Sequence, residues 1–463
     1  MTSQPHVVTP TGMITGAWSN NHTVRRFYSI PYANFLGEFD DAELRTANGD
    51  VDASTPAPEA VALTIATPPD ARDGADLPVI VFIHGGSFET GSHDDPRHDA
   101  TANVQAGCVQ VNIGYRKKLP GFARFNNDAP SHYRGVHDCL LALEWIQRNI
   151  ESFGGDPTNV TLAGQSAGAN LVLWLCRPDH YRGGFRRAIV MSPASPREPI
   201  EARTSTLRMA MQVPLTRRRL AELPQKKLDR GYQRFKYLHI NDVALGPDLR
   251  ELGELADVPL WVSTTHDEFH HHPLAATDSK PWVRSVPGSK ALFKKTARDL
   301  QLSRNFDAWM EGALALDPYR PMGRLLTDAL IGRWAASAVT KATGPVWLSE
   351  YYRSTPGGVQ HSSDIAYLFG VGSSNTGDAA NIAENNAASY GANDVDGSIG
   401  DRAGRRRLHE ALLSFARTGN PGFDSYSATG RTWRLDFGTG QAIMSESRIP
   451  RLAEYFPTES RGQ

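Results

Sequence analysis

The chain has 463 residues, 40% of them hydrophobic and 21% charged, with 49 Lys plus Arg against 50 Asp plus Glu. That length can bury a sizeable core, and the near-zero net charge gives no overall field that would draw nucleic acid or an anionic membrane. Apolar runs such as residues 171–176 fall far below the ~18 needed to span a bilayer. Residues 1–10 lack the basic start and apolar stretch of a secretory signal, so the chain reads as cytoplasmic, with no membrane partner.

Short runs rich in β-branched residues alternate with longer helical patterns, the signature of a sheet with βα crossovers. Strands are predicted at 79–83, 109–113, 160–162, 188–191, 260–263 and 346–351, several apolar enough to be buried on both faces. Leu140, Leu141, Leu143, Trp145, Ile146 and Ile150 place an apolar stripe on a helix that ends near the Gly154-Gly155-Asp156-Pro157 breaker. Residues 197–237, with many Arg and Lys and periodic Leu and Met, read as surface helices, and Arg217-Arg218-Arg219 as a solvated helix face. Residues 372–404, rich in Gly, Asn, Ala, Ser and Asp, read as a loop. No repeat or linker divides the chain. The cysteines Cys108, Cys139 and Cys176 lie in apolar stretches with no C-x-x-C spacing and read as buried hydrophobes.

The chemistry centres on Gly164-Gln165-Ser166-Ala167-Gly168, a G-x-S-x-G string. Alone the string is weak evidence; here an apolar strand runs into it and a helix-compatible segment follows, which is the strand-turn-helix context of a nucleophile elbow. Small residues beside the serine let a strained turn hold its hydroxyl out at the carboxyl edge of the sheet. His84-Gly85-Gly86-Ser87-Phe88 follows an earlier strand where oxyanion donors are expected, and the N–H groups of Gly85, Gly86 and Ala167 are the candidates. A chain order of Ser, acid, His then points to the segment after 260–263, where Asp267 and Glu268 compete, and to His361 after 346–351.

These residues sit in a sequence that resembles the type B carboxylesterases, the cholinesterase-like branch of the α/β hydrolases, including the bacterial p-nitrobenzyl-esterase-like members. The resemblance runs from Phe27-Tyr28-Ser29-Ile30-Pro31 through Gly135-Val136-His137-Asp138 and Phe153-Gly154-Gly155-Asp156-Pro157 to Phe415-Ala416-Arg417-Thr418-Gly419-Asn420-Pro421. It implies an α/β-hydrolase fold with a mostly parallel central sheet flanked by helices. It also implies a single domain over 1–463 with helical cap or gate regions at 197–255 and 283–345. By the same resemblance Glu268 is the catalytic acid, and His361, with Asp364 three residues on, is the base.

The sequence departs from the family at Gln165, where Glu is usual, and at Gly114-Tyr115-Arg116, where Asn-Tyr-Arg is usual. A cysteine of the family's N-terminal disulfide is also missing near Glu59, which fits a reducing compartment. Gln165 is expected behind the serine as pocket support.

The expected activity is hydrolysis of a small-molecule carboxylic ester through an acyl-enzyme, with no metal or organic cofactor required. The alternatives are an inactive cholinesterase-like interaction module, or a lipase, amidase or carbamate hydrolase using the same triad. His266 with His270-His271-His272 lacks metal-ligand spacing and reads as a solvated or structural cluster. His132 and His137 read as surface or core-satisfied residues.

Overall fold

A computed structural model describes residues 3–459 except 20, 48, 240–241, 280–288, 303, 355–357 and 371–398. Its centre is an eleven-stranded sheet. In chain order the strands are β1 (Ala17–Trp18), β2 (Arg25–Ile30), β3 (Leu63–Thr67), β4 (Leu77–Ile83), β5 (Val109–Ile113), β6 (Gly155–Gln165), β7 (Arg187–Met191), β8 (Leu260–Thr265), β9 (Val346–Tyr352), β10 (Arg431–Asp436) and β11 (Ala442–Glu446). Their spatial order is β11-β10-β9-β8-β7-β6-β4-β5-β3-β2-β1, and pairing is parallel from β5 across to β10, with antiparallel strands at both edges. This is the α/β-hydrolase arrangement, a large mostly parallel sheet flanked by helices.

The alternation of side chains along β4 explains why the sheet is buried on both faces. Val79, Val81 and Ile83 enter the core that contains Trp145, Leu171 and Trp174, whereas Ile80 and Phe82 enter a second core with Trp261, Leu412 and Phe415. The first core is built on helices α1 (Arg134–Asn149) and α2 (Ala167–Leu175), the second on α7 (Ile399–Thr418). Helix α1 ends in a 3-10 turn at Ile150–Phe153, and Gly154, at φ 87°, reverses the chain into β6.

The strands predicted from sequence appear within a few residues. β6 starts earlier than expected, at Gly155, because the Gly-Asp-Pro segment is absorbed as a register shift between Gly155 and Val160. The 197–237 segment forms α3 (Ile200–Met211), α4 (Arg217–Ala221) and α5 (Gln225–Leu238), which bury Leu207, Met211, Leu220, Leu228 and Phe235. Arg218 and Arg219 face solvent and pair with Glu222, but Arg217 turns inward onto the buried carboxylate of Asp128.

The loop expected at 372–404 needs a correction at its end. Residues 371–398 lie outside the described residues, yet α7 already begins at Ile399, with Asp401 in its first turn receiving Arg353 and Tyr367. A carboxylate there complements the helix dipole, a tertiary signal that the glycine-rich composition hides. Strands β1, β2, β3, β10 and β11 were not predicted; they flank the parallel centre on its two sides, and β10 and β11 are short and of mixed polarity. Short helix α6 (Ser363–Leu368) follows β9. Of the 283–345 segment, 283–288 and 303 lie outside the described residues. No helix among the described residues is long and apolar enough to cross a membrane.

Candidate active site

Strand β6 delivers the elbow. Ser166 sits between β6 and α2 at φ 57° and ψ −118°, a conformation costly for a residue with a side chain, held here by the packing around it. A Cβ on Gly168 would lie 2.1 Å from the Ile83 carbonyl oxygen, so only glycine lets α2 start this close to β4. Ser166 N–H is anchored to the Met191 carbonyl of β7 at 2.9 Å.

Three side chains far apart in sequence meet at the carboxyl edge of the sheet. Ser166 Oγ lies 2.9 Å from His361 Nε2, and His361 Nδ1 lies 2.5 Å from Glu268 Oε2. Relative exposures of 6% for Ser166, 2% for Glu268 and 5% for His361 remove most competing water. A carboxylate can only accept, so the imidazole proton sits on Nδ1 and the Nε2 lone pair faces the serine.

The second oxygen of Glu268 is also held, by the Ser192 hydroxyl at 2.6 Å and the Thr265 N–H at 2.8 Å. The backbone N–H of His361 donates to the Glu268 carbonyl at 3.1 Å, and Phe269 stacks on the imidazole with centroids 5.1 Å apart. Sequence reasoning missed Ser192 and Phe269. Ser192 follows strand β7 at the same edge as the elbow, the one local signal that could have drawn attention to it.

Asp267, the rival carboxylate, points elsewhere. Its side chain meets His266 Nδ1 at 3.0 Å and His270 Nδ1 at 2.9 Å, and accepts the Val359 N–H at 3.1 Å. Those two histidines hold its carboxyl well below the usual carboxylate range despite burial. Asp267 thus ties the loop carrying the acid to the loop carrying the histidine. His266 and His270 are engaged with it, and among the described residues no group of three or more His, Cys, Asp or Glu side chains could hold a metal ion. Asp364 is fully buried beside the pair; burial, and then the charge of Glu268, push its carboxyl up to about 7.

The loop in which oxyanion donors are expected, called the oxyanion loop for that expectation, runs from His84 to Gly91. Gly86, at φ 107°, turns the loop, and its carbonyl accepts the N–H groups of Glu89 and Thr90. The N–H groups of Gly85, Gly86 and Ala167 have no acceptor among the described residues. His84 is buried, stacked on Tyr115 with centroids 4.6 Å apart, and its Nδ1–H donates to the Gly85 carbonyl at 2.7 Å. Burial pulls this imidazole down to about 3, so it stays neutral and braces the loop.

Gln165 is the residue expected behind the serine as pocket support. Its buried amide reaches the His361 ring, with Nε2 3.2 Å from His361 Nε2. His132 contacts Asp41 and His137 contacts the Ala42 carbonyl, both remote from this site.

The carboxylesterase family model matches residues 59–218, which include both the oxyanion loop and the elbow. Fumonisin B1 esterase of Sphingopyxis macrogoltabida is 28% identical over 392 residues, covering 78% of this chain and 68% of that protein. Para-nitrobenzyl esterase of Bacillus subtilis is 38% identical over 141 residues, or 30% of this chain and 29% of that protein. Among solved structures, a carboxylesterase of Geobacillus stearothermophilus shares the fold with a TM-score of 0.76 at 24% identity, covering 97% of this chain and 99% of that one. A PNB esterase structure aligns with a TM-score of 0.72 at 23% identity, over 96% and 97% of the two chains. Over residues 59–218 the chain is thus similar to the carboxylesterase family, and its fold is that of the carboxylesterases of known structure.

Proposed function

We propose that the chain hydrolyses small carboxylic esters by a two-step acyl transfer on Ser166, with His361 as general base and Glu268 as its orienting acid. The observation that carries this reading is the unbroken hydrogen-bonded line from the Ser166 hydroxyl through the imidazole to the Glu268 carboxylate. His361 takes the hydroxyl proton as Ser166 Oγ bonds to the ester carbonyl carbon, and Glu268 stabilises the imidazolium. The N–H groups of Gly85, Gly86 and Ala167 receive the developing oxyanion. The ring then gives its proton to the departing alcohol, and water repeats the sequence to release the acid.

An inactive interaction module would have no use for a strained serine aligned with a paired imidazole. The segments 197–255 and 283–345 are read as cap regions; Lys236 of α5 reaches Glu89 of the oxyanion loop at 2.7 Å, which supports that role for the first. Three buried free cysteines suit a reducing compartment, which supports the cytoplasmic reading made from residues 1–10.

Turnover of p-nitrophenyl esters of graded acyl length tests the assignment. Ser166→Ala is expected to lower kcat by at least ~10⁴-fold with the fold intact. Substantial turnover by the purified variant would overturn it.

A further inference from the structure

The amide of Gln165 occupies a place that the two-step mechanism does not use. It closes β6, where its backbone pairs in register with Met191, so the side chain projects from a rigid strand end. One end of the amide lies 3.2 Å from His361 Nε2, and the other lies against the oxyanion loop, where a Cβ on Gly85 would come within 2.7 Å of Gln165 Oε1. Gln165 therefore bridges the base and the oxyanion loop. Its contact is with the same ring nitrogen that faces Ser166, and not with the one held by Glu268.

That nitrogen changes character during the reaction. In the resting ring Nε2 offers one lone pair, faced by the Ser166 hydroxyl at 2.9 Å and by an N–H of Gln165. Once the serine proton has moved to Nε2, the ring needs an acceptor there as well as the serine oxygen. A carboxamide carries both a donor and an acceptor, and its terminal torsion is broad and roughly two-fold, so half a turn exchanges one for the other. A carboxylate at this position would serve only the protonated ring; a thioether would serve neither.

We propose that Gln165 is a positioning residue for the general base, an uncharged hydrogen-bond partner at His361 Nε2 that holds the ring against Ser166 in both of its protonation states. The proposal rests on His361 being the base. Its consequence is electrostatic as well as geometric. Among the described residues, Glu268 and Asp364 face the ring from the loop after β8 and from α6, and Gln165 itself carries no charge. Both acids stay in place when only residue 165 is changed, so comparison among variants isolates its effect.

The test is the pH dependence of kcat/KM for a p-nitrophenyl ester in the wild type, Gln165→Glu, Gln165→Met and His361→Ala, each checked by circular dichroism and thermal melting. A carboxylate within about 4–6 Å of an imidazolium favours the charged ring by ~1–3 pH units. Gln165→Glu is therefore expected to move the acid limb to higher pH by about 1 unit or more. Gln165→Met, of similar length and without polar atoms, is expected to leave that limb in place while lowering kcat roughly 10-fold, as loss of one hydrogen bond of ~1.4 kcal/mol would, with KM little changed.

An acid limb that stays put in Gln165→Glu, or an unchanged kcat in Gln165→Met, would overturn the role of Gln165 alone. If Gln165→Glu fails to fold, Gln165→Met decides by its kcat. Full turnover by His361→Ala would overturn the assignment of the base, and this proposal with it.

Discussion

Two carboxylates follow strand β8 side by side, and the chain turns them to different partners. Glu268 meets the imidazole at 2.5 Å, while Asp267 meets His266, His270 and the Val359 N–H. Replacing Glu268 by Gln leaves an amide where only an acceptor of full charge stabilises the imidazolium, and the loss in kcat is expected to be about 10⁴-fold, as for the equivalent change in a serine protease. Asp267→Asn keeps the shape and weakens a clamp between loops, with an expected loss of about 10-fold, the cost of a weakened hydrogen bond to a charged group. Steady-state kinetics of both variants decide the matter; the reverse order would transfer the acid role to Asp267. Composition and spacing left these residues level, and resemblance to a family favoured Glu268. Ser192 was illegible for a different reason: a lone serine after a strand carries no pattern, and its contact with Glu268 exists only because β7 and β8 are neighbours. Gln165 was legible as a departure but not as a contact, since which way an amide points is set by packing.

At the scale of elements, the site depends on how closely α2 begins against β4. The Cβ that alanine would add at Gly168 falls 2.1 Å from the Ile83 carbonyl oxygen and 2.7 Å from that of His84. Backbone cannot yield as a flexible side chain would, so Gly168→Ala must push α2 off the sheet and move the elbow and the oxyanion loop apart. Overpacking of this kind costs ~1–3 kcal/mol, and a displacement of about 1 Å at reacting groups costs on the order of 100-fold in rate. A fall in Tm with such a loss of kcat/KM is expected. Gly312, within the helix Phe306–Leu316, has nothing within 4 Å of its added Cβ, and Gly312→Ala is the matched control, expected to hold or raise Tm. Equal behaviour of the two variants would contradict the packing argument. The central strands and α1 were readable because burial on two faces, or on one stripe, writes itself into the sequence as apolar runs and 3.6-residue periodicity. The outer strands β10 and β11 and the start of α7 were not, because their polar content is set by neighbours distant in sequence.

Across the whole molecule, the parallel sheet does the work of assembly: β6, β8 and β9 end at the same edge, and residues 166, 268 and 361 converge there although nearly 200 positions separate the first from the last. The same burial has a cost in stability that depends on pH. Asp364 keeps its proton up to about 7 in the folded chain, whereas an unfolded aspartate releases it near ~3.9. Between those values the folded state binds more protons than the unfolded one, so this group makes stability fall as pH rises through that window. Removing the charge with Asp364→Asn is expected to raise Tm relative to the wild type more at pH 8 than at pH 5. A difference that does not vary with pH would show that Asp364 is already ionised in the fold. The claim on which the rest depends, that the aligned hydroxyl of Ser166 is the nucleophile, is tested most directly by reacting the protein with a fluorophosphonate and mapping the adduct by peptide mass spectrometry. The expected result is a single adduct on Ser166, formed in step with loss of esterase activity and absent from Ser166→Ala. An adduct on another serine, or full activity after Ser166 is modified, would contradict it.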